Sequence, residues 1–223
     1  MSADERVILK EIAGVALDAL VTRGARLAFW INIYNTLVTA GITALGVRHS
    51  VWNAMDFFGR IACRAGDLVF TVDEIEHGVL RGNRPSPLST APPFPAGDPR
   101  RVHAIVPVDP RIHFAINCGA RSCPPVRSYD GARWDEQLDA ATRAFVAREV
   151  AVEEDALVVS EIFQWFRADF DDLAGGFVGF ILSHLDAGVV HRRILERGLD
   201  GLTYRPYDWR LAAPATESWT ARA

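Results

Sequence analysis

Residues 111–125 read RIHFAINCGARSCPP, and His113, Asn117, Cys118 and Cys123 fall within one short stretch of it. A thiol acts as a nucleophile in its thiolate form, and a nearby imidazole favours that form. The residue types therefore point to nucleophilic catalysis, with Cys118 or Cys123 as nucleophile and His113 as base. On a regular strand, positions 113 and 118 face opposite ways. The chain must turn after Asn117 before the two groups can meet, and Gly119, Pro124 and Pro125 are residues that break regular structure. A Ser-Cys-Pro turn at 122–124 can swing Cys123 back, with Ser122 and Asn117 in supporting positions. The choice between the two thiols stays open. Inert packing is the alternative, because free cysteine is among the most buried residue types.

The same residues are acceptable zinc ligands, with His77 or His103 as a fourth, but the cysteine spacing is looser than in the usual pair and no second pair follows. No metal or other cofactor is therefore expected. A disulfide between the two cysteines would be transient in a reducing compartment. Glu74, Glu76 and His77 form a second polar group on one short helix. Glu-x-x-His is half of a di-iron carboxylate motif, and it occurs once. A solvated helix face with a capping carboxylate explains it as well. Asn32 and Asn35 are harder to dismiss, because they sit in a segment that is apolar nearly all round. A buried amide without partners costs about 1–3 kcal/mol, so both must be bonded. They bond either to neighbouring backbone or to a catalytic imidazole or oxyanion that they orient.

The elements that must position these groups can be read from periodicity. Residues 4–22 have helical spacing of apolar residues, and about 25–45 form a second, central helix ending at Gly46. Asn32, Asn35, Thr36, Thr39 and Thr43 lie on one face of it. Ser50 can cap a short helix through Phe58. Residues 60–71 read as a hairpin turning at 65–67, and Thr71 with Glu74 as a capping box for a helix to about Arg81. Residues 82–101 hold six prolines and form a long irregular loop, either a lid or a simple connection. Residues 103–108 and 111–117 alternate as strands. A helix at 132–149, a strand at 157–159, a helix capped by Ser160, helices at 177–185 and 189–197 and a strand at 202–205 complete the series. Residues 1–211 form one domain on this reading, with a frayed tail at 212–223.

Composition bounds the function. The chain has 223 residues, 49% hydrophobic and 23% charged, with a net charge of −4. Scattered arginines and a negative balance argue against nucleic acid as partner. The apolar segment 25–47 is interrupted by five polar residues, so no membrane span is expected. There is no signal-like start and an odd number of cysteines, which leads to a reduced cytoplasmic setting as the expectation. Substrate and oligomeric state are not legible.

Five segments together resemble the DUF547 family: AFWINIYN at 28–35, DEIEHGVLRGN at 73–83, RIHFAINCGARSCPP at 111–125, SEIFQWFRADF at 160–170 and YRPYDWRL at 204–211. The resemblance implies an α+β fold with a central buried helix on a small, mainly antiparallel sheet. The layout expected from it is similar to papain-like hydrolases and transglutaminases, although the central helix here carries Asn32 and Asn35 and no cysteine. Ala212 stands where the family pattern leads one to expect asparagine. The expected function is a thiol-dependent hydrolase or acyl transferase on a small-molecule or peptide amide or ester. Its site would hold Cys118 or Cys123, His113, and Asn32 or Asn35, supported by Glu76, His77, Asn117 and Ser122. The alternatives are a non-catalytic interaction module, or a metal-binding protein that uses His113 and the cysteine loop.

Overall fold

A computed structural model describes residues 7–11 and 16–212. The elements in order are β1 (Val7–Glu11), α1 (Arg23–Ala44), α2 (Phe57–Arg60), β2 (Ile61–Ala65), β3 (Leu68–Thr71), a wide helical segment of π type (Glu74–Leu80), α3 (Trp134–Glu149), β4 (Ala151–Glu153), β5 (Ala156–Ser160), α4 (Ile162–Trp165), α5 (Arg167–Asp171), α6 (Gly176–His184), α7 (Val189–Arg197) and β6 (Leu202–Arg205). The protein is α+β.

Helix α1 starts where Thr22 accepts a hydrogen bond from the Ala25 amide at 3.1 Å, an N-cap that satisfies one orphan donor. Leu27, Trp30, Ile31, Tyr34, Leu37 and Val38 are almost fully buried along it. Its threonines bond back to the preceding turn, with Thr36 donating to the Asn32 carbonyl at 2.7 Å and Thr39 to that of Asn35 at 2.9 Å. By length and composition α1 could cross a membrane, but in this fold it forms the centre of the first core, against β2 and the Glu74–Leu80 segment. The expected capping box is present: the Thr71 amide donates to Glu74 at 2.9 Å and the Glu74 amide to Thr71 at 3.1 Å.

Two sheets form instead of the one mainly antiparallel sheet expected. In each, an antiparallel hairpin gains a third, parallel strand: β1 beside β2 in the first, β6 beside β5 in the second. The first sheet belongs with α1. The second belongs with an aromatic core built on Phe114, Phe145, Phe163, Phe170, Phe177 and Phe180. Helix α3 contacts α1 on one side and α6 and β5 on the other. Gly24 lets α1 and α3 approach closely, since a Cβ there would sit 2.1 Å from the Trp134 ring.

Three expectations are corrected. Val7–Glu11 is a strand, not part of a helix over 4–22, because it pairs with β2, and Leu17–Ala19 is only a 3₁₀ turn. The rest of that span lies partly outside the described residues. Residues 103–108 and 111–117 are not strands. Pro99–His103 and Pro110–Phe114 are 3₁₀ turns, each opened by an aspartate whose side chain accepts from a backbone amide two residues on, Asp98 from Arg100 and Asp109 from Arg111. The prolines cannot donate to a ladder, and Asp109 favours the turn.

The proline-rich loop is pinned and does not hang free. Asn83 exchanges two hydrogen bonds of 2.9 Å with the Phe94 backbone, and the Phe94 ring is fully buried. The Ala212 amide donates to the Gly119 carbonyl at 3.0 Å, so at this position the backbone does the holding. Residues 213–223, where the frayed tail is expected, lie outside the described residues.

Candidate functional site

A cavity of about 350 Å³ opens where residues of the two cores meet. Its polar lining is Tyr34, Asp73, Glu76, His77, Ser86, His113, Cys118, Cys123 and Tyr207; Trp52, Phe58, Trp165, Phe166 and Trp209 supply aromatic walls.

One wall carries the two thiols. Gly119 makes the required turn, at φ +89°, and a Cβ there would sit 2.6 Å from Ile42. The turn brings the Cys118 and Cys123 sulfurs to 2.9 Å, with both thiols free. Cys123 Sγ also accepts from the Cys118 amide at 3.2 Å and lies 3.0 Å from the Tyr207 hydroxyl. Burial pushes the Cys123 thiol up, but hydrogen bonds from Cys118, Tyr207 and the backbone outweigh it, so the net shift is downward. Cys118 moves the other way, raised by its bond to Cys123 and by burial, and stays the protonated donor. Cys63, far along the chain in β2, is raised to about 11 by burial.

A second wall carries His113. Its Nε2 is 2.9 Å from Asp169 Oδ2, and its ring stacks on Phe166 with centroids 3.9 Å apart. Burial would raise the Asp169 carboxyl, yet hydrogen bonds from His113 and Arg81 hold it well below its ordinary value. Asp169 is therefore a carboxylate, and His113 Nε2 carries the proton donated to it. Burial lowers the imidazole pKa against the pull of Asp169, so the ring is neutral with a bare Nδ1. That Nδ1 is buried without a hydrogen-bond partner. Arg81 holds Asp169 through Nε at 2.7 Å and Nη2 at 3.1 Å, and Arg84 Nη1 reaches it at 2.8 Å.

The third wall is the Glu74–Leu80 segment. Arg81 Nη1 donates to His77 Nδ1 at 3.0 Å, which puts the His77 proton on Nε2, 3.5 Å from Asp73. Burial, then Arg81, lowers the His77 pKa to about 3. Tyr34 donates to Glu76 Oε2 at 2.8 Å. Burial raises Glu76 to about 7 in spite of that bond, and raises Asp73 to about 6.

These opposite shifts predict the acid response. Unfolded His77 takes up a proton near about 6.5, and folded His77 only near about 3. Its contribution to stability is thus full above the higher value and is lost as pH falls toward the lower. His113 acts in the same direction. Glu76 does the reverse: its contribution is full below the unfolded value of about 4.3 and is lost as pH rises through about 7. Asp73 sides with Glu76. Glu76→Gln removes an opposing contribution, so thermal melts should show a steeper loss of stability between about pH 6.5 and 4.5 than in wild type. An equal or shallower slope would contradict the assigned directions.

The other expected site residues are structural in their contacts. Asn35 donates to the Ala115 carbonyl at 3.0 Å and accepts from the Asn117 amide at 2.8 Å. Asn32 clamps Tyr129 in the same way, at 2.8 and 2.9 Å. Neither side chain makes a hydrogen bond to an imidazole among the described residues. Asn117 folds the cysteine loop through the Gly119 amide and the Pro124 carbonyl, and Ser122 accepts from the Asp208 amide. His113 makes no hydrogen bond to either cysteine, although all three line the cavity. Among the described residues no three His, Cys, Asp or Glu side chains are grouped to hold a metal ion.

Sequence reasoning gave no role to Asp169, Arg81, Tyr34 or Tyr207. Each lies inside a segment quoted above, and only Tyr34, a hydroxyl within the largely apolar run 28–34, stood out from its neighbours.

A family model described as a protein of unknown function, DUF547, matches residues 19–146, more than half of the chain. The chain belongs to the DUF547 family. No curated protein and no solved structure matches it. The DUF547 match covers His77, His113 and both cysteines of the cavity. Asp169 and Tyr207 lie beyond the match and complete the same site.

Proposed function

We propose that the cavity is a catalytic site for thiol-dependent acyl transfer from an amide or ester, with Cys123 as nucleophile. The observation that carries this reading is the set of donors around the Cys123 sulfur, in a cavity that His113, whose Nδ1 has no partner, also lines. The thiolate attacks the carbonyl carbon and a sulfur–carbon bond forms. The bond to the leaving amine or alcohol then breaks, and the leaving group takes a proton from the Glu76 carboxyl, which is held near neutrality as a general acid needs to be. Water or a second acceptor gives a proton to His113 Nδ1 and attacks the thioester. The thiolate is released, and the His113 proton returns to Glu76. The Cys123 thiolate is stabilised by Tyr207 and Cys118, not by an ion pair with His113. The proposal keeps the likeness to papain-like hydrolases and transglutaminases, with the thiol on the 118–123 loop beside the central helix instead of on it.

Two measurements test the reading. Iodoacetamide near pH 7 should alkylate Cys123 and spare Cys118 and Cys63. Tyr207→Phe removes a hydrogen bond to a charged group, worth about 1.5–3 kcal/mol. That corresponds to about one to two pKa units, and labelling should slow accordingly. With p-nitrophenyl acetate, intact-mass spectrometry should show a single acetyl group, lost in Cys123→Ser. In His113→Gln, which can still donate to Asp169, the acetyl group should persist longer. An adduct that survives in Cys123→Ser, or none in wild type, would sink the proposal.

A second reading is a binding module without chemistry. Trp52 is 52% exposed and Leu88 84% exposed at the cavity lining, as a docking rim would be. Absence of the acetyl adduct would favour it.

A further inference from the structure

Among the described residues, the cavity lining has two acidic side chains, Asp73 and Glu76, and neither arginine nor lysine. The guanidinium groups of Arg81, which bonds the lining residue His77, and of Arg84 are committed elsewhere. Arg81 is bound to Asp169, His77 and the Pro85 carbonyl, and Arg84 to Asp169 and Asp172. Both histidines are neutral, because burial lowers their pKa values and, at His77, Arg81 adds to it. What the cavity offers instead is acceptors. His113 is 3% exposed and its Nδ1 has no partner. Glu76 Oε2 accepts from Tyr34, while Oε1 has only the His77 ring at 4.0 Å. Asp73 Oδ1 has the His77 Nε2 at 3.5 Å.

A buried acceptor left unpaired is costly, about 1–3 kcal/mol, and a ligand with donors would relieve it. An anionic ligand would find two carboxyl groups and, among the described lining residues, no cation. A cation fits, and the indole and phenyl faces of Trp52, Phe58, Trp165 and Trp209 attract positive charge as well as apolar surface. The volume is that of a site for a small organic molecule.

We infer that the cavity binds a primary ammonium group carried on an apolar body, with the nitrogen donating to Glu76, Asp73 and His113 Nδ1. This inference rests on reading the cavity as a ligand site, and not on thiol chemistry. Under the acyl-transfer reading, the amine is the leaving group of the substrate or the acceptor of the acyl group. As acceptor it first gives one proton to the Glu76 carboxylate left by the acylation step and a second, on attack, to His113 Nδ1, which passes that proton to water because Glu76 is already protonated. The new bond is nitrogen to carbonyl carbon and the bond that breaks is carbon to sulfur. A small amine and a lysyl side chain share this chemistry.

The test is an equilibrium titration of the full chain at neutral pH, followed by tryptophan fluorescence, since three tryptophans line the cavity. The probes are benzylammonium, benzyl alcohol and benzoate, with Nα-acetyl-lysine methylamide to separate a lysyl side chain from a free amine. Benzylammonium or the lysine amide should bind at least about tenfold tighter than benzyl alcohol, a factor worth about 1.4 kcal/mol, and benzoate weakest. Glu76→Gln should erase the preference while benzyl alcohol binding stays. If Glu76→Gln fails to fold, Asp73→Asn, whose side chain is 45% exposed, should still weaken the ammonium selectively. Equal binding of the three benzyl probes, tighter benzoate, no binding at all, or a preference untouched by the acidic substitutions would overturn the inference. The titration needs no reactive thiol and the acetylation measurement needs no amine, so either can fail without the other.

Discussion

Asp169→Ala should lose about 3–5 kcal/mol of stability, the usual consequence of stripping one partner from a buried ionic cluster. The Asp169 side chain is fully buried, and Arg81, which holds it with two nitrogens, is 4% exposed. Removal would leave that guanidinium inside the protein with only His77 and the Pro85 carbonyl. It would also release His113 and Arg84, which come from segments 56 and 85 residues away in sequence. Asp169→Asn is the more informative change. The amide keeps the shape and one acceptor, so the fold should survive with a smaller loss. Where its NH₂ faces His113 Nε2, that nitrogen must accept, and the ring proton moves to Nδ1. The unpartnered Nδ1 then becomes a donor. Urea unfolding measures the first effect. Nitrogen NMR of the imidazole and the lifetime of the acetyl adduct measure the second. Asp169→Ala within about 1 kcal/mol of wild type would fall outside the range for a broken buried pair and would refute this account of the cluster.

Asn35→Ala should lose about 1–3 kcal/mol, because it leaves a buried carbonyl and a partly buried amide unpaired. The partners are Ala115 and Asn117, so the cost falls on the join between α1 and the cysteine loop. The Asn117 amide directly precedes the turn that sets Cys118 against Cys123, so Cys123 alkylation should also slow. Asn35→Asp separates two roles. An aspartate can accept from Asn117 but cannot donate to the Ala115 carbonyl, and a buried carboxylate facing a carbonyl oxygen is worse than no side chain. Asn35→Asp should therefore be less stable than Asn35→Ala at pH 7 and should recover on acidification, as the carboxyl takes up a proton and can donate. Had Asn35 oriented a cationic imidazole, the aspartate would be tolerated at neutral pH. Asn32→Ala, whose two bonds to the Tyr129 backbone are both only partly buried, should cost less.

Much of the local structure was legible because it depends on local signals. The central helix reads from a long apolar run closed by Gly46. The 60–71 hairpin reads from its turn residues, and the helix after Thr71 from a capping box whose two bonds are both formed. Periodicity failed where two structures share a pattern. Residues 111–117 alternate as a strand would, but Pro110 and the Asp109 side chain commit them to a 3₁₀ turn. Val7–Glu11 has helical spacing, yet a neighbouring strand edge was open and pairing with it won.

The sequence by itself determined which chain segments carry chemistry, the α+β class and membership of the DUF547 family. Residue type, turn chemistry and motif order are properties of the chain alone. Only the tertiary structure decided what those residues do to one another. It gave His113 a hydrogen bond to Asp169 and none to a cysteine, gave the Cys123 sulfur Tyr207 as a donor, and set Asn35 as a clamp on the Ala115 and Asn117 backbone. The physical reason is that a pKa or a tautomer is set by burial and by partners within a few ångströms, and here those partners are 56 and 84 residues distant in the chain.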